Sequence, residues 1–155
     1  MLQLVRLTTV LAILMTTSAH AEKLFDLVRK DGTVQEVTYQ DFETIGMKTA
    51  TTTLVGQQDG DHVIRGPLAR DVLAHFAVEG REANIVALDN YEQTIPISDF
   101  SQYDVIFATE VDGKRLSVRE RGPSWIMYPL KSHPELKNPI YEARSVWQVK
   151  EIRVK

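Results

Sequence analysis

The clearest helical repeat in this chain lies between Gly66 and Gly80, and its isolation among short strand-like runs constrains the fold more than any other feature. Leu68, Val72, Leu73 and Phe76 stand at i, i+4, i+5, i+8, which gathers them on one face, while Arg70, Asp71 and His75 point elsewhere. Pro67 suits a first helical position and Gly80 a stop, so the spacing predicts a helix from Gly66-Pro67 to Val78 whose role is packing. A chain with one such helix must bury most of its apolar residues on strands.

The remaining runs are short and bounded by turn residues. Lys23 to Thr38 reads as a hairpin reversing at Lys30-Asp31-Gly32, followed by a turn or two of helix over Tyr39–Ile45 that Gly46 ends. Lys48 to Val55 is rich in threonine and β-prone, Asp59-Gly60 invites a reversal, and His62–Gly66 is a short strand. Asn84–Leu88 and Tyr91–Ile97 flank an Asp89-Asn90 turn. Ser98 is placed to cap a brief helix over Asp99–Tyr103, and Asp104–Thr109 is the continuous apolar run of a strand buried on both faces. Val111-Asp112-Gly113-Lys114 is a tight turn, and Ser124–Tyr128 is a strand that Pro129 ends. Lys131 to Ala143 holds Pro134 and Pro139 and no period, which predicts a long surface loop. In the last strand, Ser145–Val154, the pair Trp147 and Val149 is out of phase with Ile152 and Val154, so a bulge is expected near Lys150-Glu151. Without repeats or linkers, these elements predict one mixed, β-rich α+β domain.

The first 21 residues stand apart. Arg6 precedes an apolar run from Leu7 to Met15 and a small-residue end at Ala19-His20-Ala21, the pattern of a cleavable export signal. The expected division is therefore a signal peptide over 1–21 and a folded domain over 22–155, with periplasmic localisation. The run is shorter than the roughly 20 residues that a membrane span needs. Of 18 Lys/Arg only Arg6 falls in this segment, against 21 Asp/Glu that all lie beyond it, so the mature chain carries −4. Mild acidity argues against a nucleic-acid partner. No cysteine is present, which removes disulfides, thiolate chemistry and thiolate metal ligation at once.

Catalytic signatures are absent: no glycine-rich phosphate loop, no G-x-S-x-G and no H-E-x-x-H occurs. His62, His75 and His133 are too scattered to suggest a metal site. The informative stretch is Arg119–Arg144, where Arg119, Arg121, Lys131, Lys137 and Arg144 outnumber Glu120, Glu135 and Glu142 in an otherwise acidic chain. Arg119, Arg121, His133 and Arg144 are the candidate residues for an anion cleft, because guanidinium forks match phosphate and carboxylate. Trp125 and Trp147 are expected to be core rather than ligand platforms.

Taken in order, several parts resemble a known family. They are the Gly66-Pro67-Leu68 helix start, Ala87-Leu-Asp-Asn-Tyr91, Ile95-Pro-Ile-Ser-Asp-Phe100, Asp104-Val-Ile-Phe-Ala108, the Asp112-Gly113-Lys114 turn, Gly122-Pro123, Tyr128-Pro129 and the closing Trp147–Val154. Together they resemble the oxidoreductase molybdopterin-binding domain, the sulfite oxidase fold, over roughly Val63 to Val154. The resemblance implies a cleft for a molybdenum-pterin cofactor and oxygen-atom transfer. It also implies a metal-ligating cysteine at a position that here is Ala87, a basic residue before the closing tryptophan where Val146 stands, and a twin-arginine signal where only Arg6 occurs. A methyl group cannot ligate a metal. The expectation is a cofactor-free relative acting as a ligand-binding, sensory or accessory module, with a small anionic ligand or an envelope protein as partner. The alternative is a molybdopterin-dependent oxidoreductase with a ligand other than cysteine.

Overall fold

A computed structural model describes residues 21–57 and 60–155; the expected signal peptide, apart from Ala21, and Asp59 of the expected reversal lie outside them. Strands β1 (Lys23–Val28) and β2 (Val34–Thr38) form the expected hairpin, and α1 (Tyr39–Ile45) follows directly. Thr38 and Asp41 cap α1 reciprocally, side chain to backbone in both directions. Next come β3 (Lys48–Thr53), β4 (Asp61–Gly66), α2 (Ala69–His75), β5 (Glu82–Ala87) and β6 (Glu92–Pro96). The chain continues through α3 (Ile97–Gln102), β7 (Ile106–Ala108), β8 (Glu110–Val111), β9 (Lys114–Arg115) and β10 (Trp125–Met127). It closes with α4 (Pro139–Arg144) and β11 (Val149–Val154).

Three sheets result, in the orders β2-β1-β11-β5-β6, β3-β4-β8-β9 and β10-β7. In the five-stranded sheet β1 runs parallel to β11, and the other pairs are antiparallel. The ends of the described chain thus meet at the centre of one sheet. This is the mixed, sheet-rich α+β architecture that the sequence predicts. The main core lies between this sheet and the helices, where Phe25, Phe42, Phe100 and Phe107 are fully buried with ring centroids 5.6–6.3 Å apart. A second cluster of Leu54, Ile64, Leu68, Ile106, Leu116 and Trp125 lies under the four-stranded sheet.

The bulge forms where the phase break places it: the β11–β5 register shifts between Val149 and Glu151. The extra residue lets Val149, Ile152 and Val154 all reach the core. β7 is buried at every position, as a two-face-buried run should be.

Three local expectations are corrected. The helix after Pro67 is shorter than its pattern: α2 ends at His75 rather than Val78, and Ala77, not Gly80, makes the left-handed turn beyond its Phe76 cap with φ of +50°. Val78 N–H donates to Leu73 O and Ala77 N–H to Ala74 O, a Schellman closure in which buried Leu73 and Val78 make up for a left-handed alanine. Gly80 instead permits close approach, since a Cβ there would lie 2.4 Å from Val154 Cγ1. Ser98 caps nothing, because α3 already begins at Ile97 behind Pro96. The stretch 131–143 is not a structureless loop: a 3₁₀ turn spans Pro134–Leu136 and α4 starts at Pro139. Both prolines open helical turns, where a missing N–H costs nothing, and Asn138 accepts from Ile140 N–H at the start of α4.

Candidate functional site

A cleft of about 430 Å³ opens beside β9 and the segment that follows it. The tight turn Asp112-Gly113, with φ of +50° and +74°, presents Lys114 and Arg115. Beyond Leu116, Ser117 and Glu120 cap each other across a 3₁₀ turn over Val118–Glu120, which carries Arg119. Arg121 then takes a left-handed conformation (φ +72°), and Gln148 does the same (φ +53°). A hydrogen bond of 3.0 Å from Gln148 N–H to Arg121 O joins them. Non-glycine residues in this region cost about 1–3 kcal/mol each and concentrate where function requires a particular geometry.

Lys114, Arg115, Arg119 and Arg121 line this cleft against two carboxylates, Asp112 and Glu120. Both carboxylates are already engaged. A hydrogen bond from His62, and then one from Val63 N–H, hold Asp112 below the usual carboxylate range. The Ser117 hydroxyl and N–H do the same for Glu120. Arg115 lies 3.7 Å over the Tyr39 ring and pairs with Glu22 at 3.0 Å. Arg121 is held on three sides: its guanidinium sits 4.9 Å from the Trp125 ring and 4.8 Å from the Trp147 ring, and Nη1 donates to Val55 O at 2.9 Å. Arg119 has no hydrogen-bonding or ionic partner among the described residues, and Lys114 makes no side-chain hydrogen bond or close ion pair there but acts electrostatically on Asp112 and Glu120. The floor, partly Leu54 and Trp125, belongs to the second apolar cluster.

The four residues expected to form an anion cleft are not brought together. Arg119 and Arg121 line it; Arg144 and His133 do not. Arg144 donates from Nη1 to Asp99 at 2.8 Å, and Tyr128 Oη donates to the same carboxylate oxygen at 2.8 Å. Asp99 is 5% exposed, so Arg144 neutralises a buried charge that links α3 to α4. Burial, reinforced by Asp99, pushes the Tyr128 phenol far above its ordinary value. His133 pairs with Glu135 at 3.0 Å and meets the Tyr103 ring edge-on. Lys114 and Arg115 replace them in the cleft. Their only sequence signal was position, two cations directly after an Asp-Gly turn.

A second cavity, about 310 Å³, lies on the other side of the stacked Arg121 and Trp147. Ala87, Val55, Val146 and Trp147 face it, with Asp89 and Glu142 among its lining. Trp147 is 39% exposed and precedes β11, so of the two tryptophans only Trp125, 2% exposed with Nε1 donating to Ser145 O, is core. This is where the resemblance calls for the molybdenum ligand. The thiolate and the basic residue that the resemblance calls for are both missing: Ala87 and Val146 present hydrocarbon, and the ionisable groups of the lining are the carboxylates of Asp89 and Glu142 and the Tyr91 phenol. No group of three metal-ligating side chains occurs among the described residues. No helix among the described residues is long and apolar enough to cross a membrane.

No family model and no curated protein matches the chain. Among solved structures, the sulfane dehydrogenase SoxCD from Paracoccus pantotrophus is similar in fold, with a TM-score of 0.64 over 85% of this chain at 15% identity. The matched part is 38% of the SoxCD chain, well under half its length. At that identity the likeness is one of fold alone.

Proposed function

We propose that this protein is a periplasmic, cofactor-free relative of the sulfite-oxidase-type molybdopterin-binding domain that acts as a ligand-binding module and holds a small anion in the cleft of Lys114, Arg115, Arg119 and Arg121. The observation that carries this reading is Arg119, a cation with no partner among the described residues, beside Lys114 on a cleft wall whose carboxylates are already hydrogen-bonded to His62 and Ser117. Arg121 stiffens that wall and leaves its charge there. The fold likeness to a sulfane dehydrogenase supports the scaffold, and the methyl group of Ala87 supports a module without the metal. Whether the bound state is read by an envelope partner or only stored belongs to the same proposal, because either use begins with an anion in this cleft.

The test is thermal unfolding of residues 22–155 in phosphate or sulfite against chloride at matched ionic strength. The Tm should rise with the logarithm of phosphate or sulfite concentration above its Kd. Arg119→Ala with Lys114→Ala should abolish the rise and leave the anion-free Tm in place. A Tm indifferent to every anion, or an unchanged rise in the double variant, would refute the reading.

A further inference from the structure

We propose that the second cavity binds a small organic cation with an apolar body, such as a quaternary ammonium group. The proposal is independent of the anion cleft. Val55, Ala87 and Val146 give the cavity apolar walls, and Tyr91 and Trp147 add two aromatic rings that are 45% and 39% exposed. The Glu142 carboxylate has no hydrogen-bonding or ionic partner among the described residues, and Asp89 uses one oxygen on Tyr91 N–H. Lysine, arginine and histidine are all absent from the lining.

That combination selects by charge and by hydration. An anion would meet two carboxylates and no donor cation. A neutral apolar ligand would desolvate those carboxylates without compensation. A compact ammonium or metal ion would lose its water shell to hydrocarbon walls, whereas a quaternary ammonium is weakly hydrated and is attracted to aromatic faces, tryptophan best of all. The Trp147 ring already accepts one delocalised cation, the Arg121 guanidinium, and Arg121 is not among the residues lining this cavity. The chemistry is opposite in sign to the anionic cofactor that the family resemblance implies for this place, and it follows from this chain's own side chains.

Choline and 3,3-dimethylbutan-1-ol are the probes, because they differ only in the replacement of N⁺ by carbon. Calorimetric titration of residues 22–155 at fixed ionic strength should show choline binding about tenfold more tightly than its carbon isostere. Glu142→Gln with Asp89→Asn should remove most of that preference; both groups are exposed, and the asparagine keeps an acceptor for Tyr91 N–H. Trp147→Leu should weaken choline more than the isostere. Equal affinity for the two probes, no binding of choline at millimolar concentration, or a preference that survives the double substitution would each overturn the proposal.

Discussion

The two cavities either side of the stacked Arg121 and Trp147 are built from opposite materials. On one side four cations stand over an apolar floor, and the two carboxylates among them are tied to His62 and Ser117. On the other side aromatic and aliphatic walls carry two carboxylates and no cation. The Arg121 guanidinium, on the cationic side, is held in the corner of two nearly perpendicular indole rings and by Val55 O. Arg121 lines only the cationic cleft, and its contact with Trp147 joins that cleft to a ring that lines the other cavity. The difference also separates two kinds of arginine. Arg144 offsets a buried charge, whereas Arg119 faces solvent with its charge uncommitted.

The sharpest test of the contrast lies in the two tryptophans. Trp125→Ala should cost about 3–5 kcal/mol in denaturant unfolding, since it empties the floor of the cationic cleft and orphans Ser145 O. Trp147→Ala, which removes a half-exposed ring stacked on Arg121, should cost about 1–2 kcal/mol. Equal losses would mean that the two cavities share one structural wall, contrary to the asymmetry described.

Next in size are the arginines. Arg144→Ala leaves Asp99 buried with only the Tyr128 hydroxyl and should cost about 3 kcal/mol. Arg119→Ala should change stability by less than about 0.5 kcal/mol. A mild Arg144→Ala, or a severe Arg119→Ala, would reverse the roles assigned to them.

The smallest effects concern pH, on the cationic side. Asp112 is held below its ordinary value, so the stability it contributes is present above about pH 4 and is lost as pH falls through its folded value. Asp112→Asn should flatten that part of the acid limb in urea titrations. Burial first, and the Glu110 hydrogen bond second, push Tyr39 up to about 12. The folded value is raised, so its contribution is intact below about pH 10 and is lost as pH rises toward that value. Tyr39→Phe should flatten the alkaline limb, and limbs unchanged in both variants would remove these groups from the account.

What the sequence determined by itself is what depends on neighbours within a few residues. Period-two runs placed most of the strands, Asp112-Gly113 the tight turn, and the phase break around Lys150 the bulge, because each is dictated by side-chain alternation or local backbone freedom. Those runs in order also carried the resemblance, and the likeness to SoxCD agrees with it at the level of a distantly similar fold. Tertiary structure decided the rest. Ala77 could turn left-handed just after α2 because Leu73 and Val78 are buried together, and Leu136, 1% exposed, anchors a stretch whose prolines read as loop. Arg144 was drawn out of the candidate cleft by Asp99, 45 positions away, while Lys114 and Arg115 entered it because β8 and β9 fold back beside Arg119. Charge in a sequence is additive along the chain, but a site's charge depends on which side chains remain unpaired after packing. That is set by contacts between residues far apart in sequence, which no local pattern records.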